Sequence, residues 1–247
     1  MPRTLAALAL LALAAGRPGS ARAAEVDALL RRADAYRLPA GAMQVDTQLE
    51  TFRAGALDKE RRYLVWIQPG RRSLVLSRSP AERGQKVLML EDDFWIVLPS
   101  SQRPIRITPA QKLLGDAAAG DVATMAWADD YQGVVVGEVE VGGIPCLRLD
   151  LRARRKGVTY QRVELWLARG DARPVQADLY LASDKLAKRA TFTLEQVDGR
   201  TQVSSMTLVD QIQTSRRTVI RYLARRPRTL PAEFFNPMFL TRNEPRD

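Results

Sequence analysis

The side chains that most readily do chemistry are scarce in this chain. It contains no histidine, which removes the commonest general base, the commonest metal ligand and every Ser-His or Cys-His nucleophile pair. Its one cysteine, Cys146, follows Pro145 at a strand start and cannot pair within the chain, so stability must come from a packed core. No G-x-S-x-G, P-loop, G-x-G-x-x-G, C-x-x-C or calcium-loop pattern occurs. What remains is two pairs of adjacent carboxylates, Asp92-Asp93 and Asp129-Asp130. Both fall where turns are expected, and adjacent strand residues point to opposite faces, so neither pair converges on one substrate. Ser183 and Lys185 could form a dyad, but Ala182-Ser183-Asp184 reads as a hairpin turn. The sequence therefore assigns no catalytic residue, metal site or cofactor, and the expectation is a protein that is not an enzyme.

The elements that would carry a binding site are clearer. Arg3, the apolar run from Leu5 to Ala15 and the small-x-small triplet Ala21-Arg22-Ala23 have the pattern of a cleaved signal peptide, and the run is too short to span a bilayer. The expectation is a signal peptide over 1–23, followed by a single domain over 24–247. The formal net charge of +10, with arginine clusters at Arg152, Arg154, Arg155 and at Arg221, Arg225, Arg226, Arg228, favours anionic headgroups or acidic partners over nucleic acid in an exported protein.

Val26, Leu29, Leu30 and Ala33 fall at i, i+3, i+4 and i+7 and predict an amphipathic helix ending near Pro39 and Gly41. The period then changes to two: Met43, Val45, Thr47 and Leu49 alternate with Gln44, Asp46, Gln48 and Glu50. Short strand-like runs follow, separated by turn signals such as Pro69-Gly70, Gly142-Gly143 and Asp198-Gly199. About eleven antiparallel strands are expected. So many sequential hairpins leave long edges unless the sheet curls, so a bent sheet or partial barrel is the natural architecture. One stretch interrupts the pattern, from Pro104 through Gly115 and on to Met125, and reads as helical turns inserted into the sheet.

Several segments carry a resemblance. They are Gly84-Gln85-Lys86-Val87-Leu88-Met89-Leu90 with Asp93-Phe94-Trp95-Ile96-Val97-Leu98-Pro99, and Arg103-Pro104-Ile105-Arg106-Ile107 leading into Leu113-Leu114-Gly115-Asp116 and Gly120-Asp121-Val122-Ala123. Val158-Thr159-Tyr160 with Leu165-Trp166-Leu167, Pro174 to Tyr180 and the closing Leu230-Pro231 with Phe235-Asn236-Pro237 complete the set. Together they resemble the LolA-like carriers of the bacterial periplasm, in the branch labelled outer membrane lipoprotein-sorting protein. The resemblance implies a mainly β, α+β fold: a half-open antiparallel β-barrel with an N-terminal helix and a helical lid insert. It implies a soluble, monomeric periplasmic carrier that shields acyl chains of lipoproteins or lipids, loaded by an inner-membrane transporter and delivered to an outer-membrane acceptor, without catalysis or metal. Related branches imply the alternative of a lipid sensor or adaptor working with an inner-membrane partner such as an RND-type lipid exporter. Where the best-known carriers have an arginine before the proline that ends the second strand, this chain has Gln68 before Pro69.

On this reading the cavity lining is Leu64, Trp66, Leu74, Leu76, Met89, Phe94 and Ile96. The lid residues are Ile107, Leu113, Leu114, Val122 and Met125, and Arg152, Arg154 and Arg155 meet headgroups or a partner. Alternation alone does not say which face of a strand lies inside, and ordinary core packing accounts for the same apolar residues. A static plug likewise accounts for the insert.

Overall fold

The computed structural model describes residues 18–38, 41–101, 103–107, 126–155 and 157–245. Helix α1 (Pro18–Ala35) is followed by β1 (Met43–Arg53), β2 (Ala56–Gln68), β3 (Arg72–Ser77), β4 (Lys86–Leu90), β5 (Asp93–Val97) and the three-residue β6 (Ile105–Ile107). A four-residue helix, α2 (Trp127–Asp130), leads into β7 (Tyr131–Val141), β8 (Ile144–Ala153), β9 (Arg162–Ala168), β10 (Pro174–Tyr180), β11 (Leu186–Val197), β12 (Arg200–Asp210) and β13 (Arg216–Pro227). Two short 3-10 turns, Ala232–Phe235 and Phe239–Thr241, close the chain.

All thirteen strands form one antiparallel sheet in the order β6-β5-β4-β3-β2-β1-β13-β12-β11-β10-β9-β8-β7. Paired strands are consecutive in sequence except at the β1–β13 junction, which joins two meanders into one sheet, and β6 and β7, consecutive but unpaired with each other, are its edges. The sheet is thus curled and open. Asp198-Gly199 and Gly142-Gly143 turn their hairpins with positive φ at both residues, the left-handed geometry that matches strand twist. The described residues form thirteen strands rather than about eleven. Ile105–Ile107, expected to begin the helical insert, instead pairs with β5, with Phe94 opposite Ile107; three residues are too short a run to show a period.

One face of the sheet is curled inward over α1. Val26, Leu30 and Ala33 share a core with Val45, Leu49, Val65 and Val75 from one wing and Leu149, Leu151, Val163, Leu165 and Leu208 from the other. These three helix residues all lie beyond the expected cleavage site, so loss of 1–23 would leave every one of those contacts. The opposite face of the first wing is also apolar, and a second core forms there: Leu64, Trp66, Leu74, Leu76, Leu88 and Val97 lie beneath Leu230, Phe235 and Leu240 of the C-terminal segment. Lys86 Nζ donates to the Leu240 carbonyl at 3.0 Å and Gln68 Nε2 to the Leu230 carbonyl at 2.8 Å, holding that cover in place. The outer face of the second wing is charged instead. Arg189 makes a bidentate pair with Asp178, and Arg162 binds Glu164 and Asp184 while lying 3.4 Å over the Tyr180 ring.

Leu240 is fully buried, so Leu240→Ala should destabilise the protein by about 2–5 kcal/mol in urea unfolding, the cost of lost transfer plus a cavity. Because Trp66 belongs to the same core, its fluorescence should shift to the red. An unchanged midpoint and spectrum would mean that the C-terminal segment does not cover this face.

Candidate functional site

Among the described residues the inner face is not completely filled. Between the end of α1, α2, the β11–β12 turn and the end of β13 lies a cavity of about 880 Å³, within the size range of small-molecule and lipid pockets. A second hollow of about 230 Å³ runs along Ile67, Pro69 and Met89. The two meet at Leu38, Ala126 and Asp129, which line both.

A buried carboxylate, Asp34, lines the larger of the two. Asp34, in the last turn of α1, accepts from the amides of Trp127 at 3.0 Å and Ala128 at 2.9 Å, so it fixes the start of α2 from far away in sequence. Arg37 lies 3.4 Å from the same carboxylate and 3.9 Å over the Trp127 ring, which meets Phe192 edge-on. Burial pushes the Asp34 carboxyl up to about 6, against the opposing pull of Arg37 and the two amides. At the helix end, the Tyr36 carbonyl accepts from the Val203 amide at 2.8 Å, tying α1 to β12.

The two wings also touch. Arg71, held at φ 57° in the β2–β3 turn, binds Asp130 of α2 and reaches Asp92 in the β4–β5 turn at 3.3 Å. Asp92 in turn faces Arg155 from the other wing at 4.0 Å. The approach is close at Gly157, where a Cβ would lie 2.6 Å from the Asp92 Cβ. Any larger residue there would push the wings apart.

An open antiparallel sheet curled round one helix, with a cavity on its inner face, is the architecture of a known group. A family model described as an uncharacterized protein matches residues 70–242. A solved LolA superfamily protein from Nitrosomonas europaea superposes with a TM-score of 0.78 at 28% identity, covering 85% of this chain and 96% of its own. The chain belongs to this LolA-like family. Two more distant structures share the fold, each with a TM-score of 0.72. One is a DUF1329 family protein from Desulfovibrio piger, at 23% identity over 87% of this chain and 97% of its own. The other is an outer membrane lipoprotein-sorting protein domain from Vibrio parahaemolyticus, at 19% identity over 87% and 98%. No protein of curated function matches the sequence.

Within the LolA-like sheet the seven residues expected to line a cavity divide between two faces. Leu64 and Trp66 pair with Leu76 and Leu74 across β2 and β3, and all four lie beneath the C-terminal segment on the outer face. They do not line the inner cavity. Met89, opposite Phe94, lies on the inner face with Ile96, and of these only Met89 borders the smaller hollow. The division follows from period two: Leu74 pairs with Leu88, which places Met89 on the other side of the pleat. Ile107 sits on β6, while Leu113, Leu114, Val122 and Met125 lie outside the described residues.

The arginines expected to meet headgroups each face a carboxylate: Arg152 faces Asp184 at 3.7 Å, Arg154 faces Asp27 at 3.5 Å and Arg155 faces Asp92. The carboxylate pairs are likewise engaged or separated. Asp92 and Asp130 join the contact between wings, Asp93 pairs with Arg106, and Asp129 alone of the four lines the cavity. Among the described residues no cluster of three or more His, Cys, Asp or Glu is placed to hold a metal, and no helix is long and apolar enough to cross a membrane. Sequence reasoning missed Asp34, Arg37 and Arg225 as site residues. Asp34 read as part of a polar helix face, and its partners lie far along the chain.

Asp34 gives a pH signature. A carboxyl raised from 3.8 to about 6 in the folded protein contributes stability that is fully present below pH 3.8 and is lost as pH rises through 6. The stability difference between wild type and Asp34→Asn should therefore change by on the order of 2–3 kcal/mol, to the disadvantage of wild type, between pH 4 and 7 in urea titrations. A pH-independent difference would show that the folded carboxyl titrates normally.

Proposed function

We propose that this protein is a carrier that shields acyl chains of lipoproteins or lipids in the cavity between α1 and the inner face of its open sheet, acting in the periplasm after removal of its signal peptide. The observation that carries this reading is the inner-face hollow of about 880 Å³ in a member of the LolA superfamily. The neighbouring structure from Vibrio parahaemolyticus, whose name refers to outer membrane lipoprotein sorting, supports the same direction. An inner-membrane transporter would load such a carrier and an outer-membrane acceptor would unload it.

The physical argument concerns balance. Each methylene removed from water contributes about 0.8 kcal/mol, so a chain of about fourteen methylenes supplies on the order of 10 kcal/mol before ordering costs. A carrier has to retain this ligand across water and still release it. A site that is partly open, polar at its rim and continuous with a narrower hollow bordered by Ile67 and Met89 meets both needs better than a sealed core. The apolar end would be supplied by Leu38, Met43, Ile67 and Met89, and the charged rim by the arginines and aspartates near α1.

Leu38 lines both hollows, so its side chain controls the passage between them. Leu38→Trp should reduce binding of a fluorescent acyl probe by about ten-fold while the urea midpoint stays within about 1 kcal/mol of wild type, and wild-type binding should be competed by a lipopeptide. Delipidated wild-type protein that bound neither the probe nor the lipopeptide would overturn the carrier reading.

A further inference from the structure

Four arginines line the cavity, and Arg225 alone of them combines partial burial with no carboxylate partner among the described residues. Arg31 is matched by Asp27 at 3.0 Å and Arg37 by Asp34 at 3.4 Å. Arg225, on the inner face of β13 opposite Val45, has no carboxylate within ion-pair distance among the described residues. Its protein contacts are one hydrogen bond, from Nη2 to the Val203 carbonyl, and the ring of Tyr222 at 5.0 Å from the guanidinium carbon. It is half-buried and lines the cavity.

A guanidinium carries five N–H donors in a rigid fork, and the bond to Val203 uses one of them. The same carbonyl bond fixes the side chain, because the Val203 amide is itself tied to Tyr36 at the end of α1. Arg200, also on the cavity lining, adds a second cation from β12. The acidic residues of the lining, Asp34, Asp129 and Asp198, do not approach Arg225: Asp34 is taken by Arg37 and α2, Asp198 sits in the β11–β12 turn, and Asp129 stands on α2. The cavity thus presents a fixed, partly desolvated fork beside apolar wall from Leu38, Met43, Val197 and Pro227.

We infer that Arg225 binds the phosphate group of an anionic amphiphile, so that the cargo is a phosphate-bearing lipid rather than a neutral acyl species. This rests on the carrier reading above. Phosphate matches the chemistry: two oxygens accept from the fork in parallel, and the ion compensates a cation that burial has taken partly out of water. The bond to Val203 leaves the fork ordered before the ligand arrives, which lowers the entropy lost on binding. The same chemistry could serve free inorganic phosphate, and the two sources differ in whether the acyl chain adds affinity.

The test uses the full mature protein with three probes: lysophosphatidylglycerol and a monoacylglycerol of the same chain length, both below their micellar concentrations, and inorganic phosphate. Wild type should bind the lysophospholipid about ten-fold more tightly than the neutral lipid, with the preference shrinking as salt is raised. Arg225→Gln should abolish the preference, with lysophospholipid affinity falling to that of the neutral lipid and an unchanged urea midpoint reporting that the variant is folded; Arg225→Lys should keep only part of it. Equal affinity for the two lipids in wild type would overturn the headgroup assignment and leave the carrier reading standing. Inorganic phosphate that displaced the lysophospholipid at equimolar concentration would overturn the lipid source. Failure of wild type to bind either lipid, with inorganic phosphate bound by wild type and not by Arg225→Gln, would overturn the carrier reading and the lipid cargo with it, and leave only the phosphate contact of Arg225.

Discussion

A β-sheet that is apolar on both faces of one wing has to be covered twice, and much of this structure follows from that requirement. On β2 to β5, alternate residues such as Val65 and Val75 point inward while Leu64, Trp66, Leu74 and Leu76 point outward, and both sets are buried. The inward set is covered by α1 and α2. The outward set is covered by the segment after β13, whose attachment depends on two side chains donating to its backbone carbonyls, Lys86 and Gln68. Without the second cover a contiguous patch containing Trp66 would face water, which a monomeric protein rarely sustains. The second wing needs no such cover, because its outer face is built from ion pairs around Arg162, Glu164, Asp178 and Arg189.

Among the described residues the inner cover is incomplete, and the cavity lies where it runs out. One long helix and the four-residue α2 do not fill the concave side of a thirteen-stranded sheet. What keeps the remaining space from collapsing is a set of polar ties with fixed geometry. Asp34 holds α2 by two amides, Tyr36 holds β12, and Arg71 spans from the β2–β3 turn to α2 and to Asp92. Buried polar ties of this kind are costly to break singly, because the abandoned partner stays desolvated. They therefore define a persistent shape. The same ties place Arg225 on the wall with its guanidinium bound to Val203, in a place where the sheet offers it no counter-charge.

The strands were legible because their signals are local. Met43 to Leu49 alternates at period two and forms β1, Asp198-Gly199 forms its hairpin, and Val26, Leu30 and Ala33 face the core at helical spacing. The three-residue β6 was not legible, since Ile105–Ile107 becomes a strand only through pairing with β5. The lining residues were half legible. Alternation put Leu64 with Trp66 and Leu74 with Leu76, but the expected lining joined them to Met89, Phe94 and Ile96, which the pleat places on the opposite face; both faces of this wing are apolar, so composition could not separate the two groups. The basic cluster at Arg221, Arg225, Arg226 and Arg228 was visible as a cluster, and only the fold separates its members. Arg221 pairs with Glu50, Arg226 pairs with Asp46 and Arg228 donates to Gln44, while Arg225 turns into the cavity.

The sequence by itself determined the class of the protein: an antiparallel, hairpin-connected sheet with one amphipathic helix, and no histidine with which to run most enzymatic chemistry. These properties are written in residues close together along the chain, through period, turn chemistry and composition. Only the tertiary structure decided which face of each strand became the interior, that Arg225 would turn into the cavity without a carboxylate partner, and that Asp34 would hold Trp127 and Ala128. Those outcomes depend on pairing between segments far apart in sequence, above all the β1–β13 junction and the return of the C-terminal segment over β2 to β5. A carboxylate or guanidinium acquires its chemistry from what the fold brings within a few ångströms of it, and that distance cannot be read along a chain.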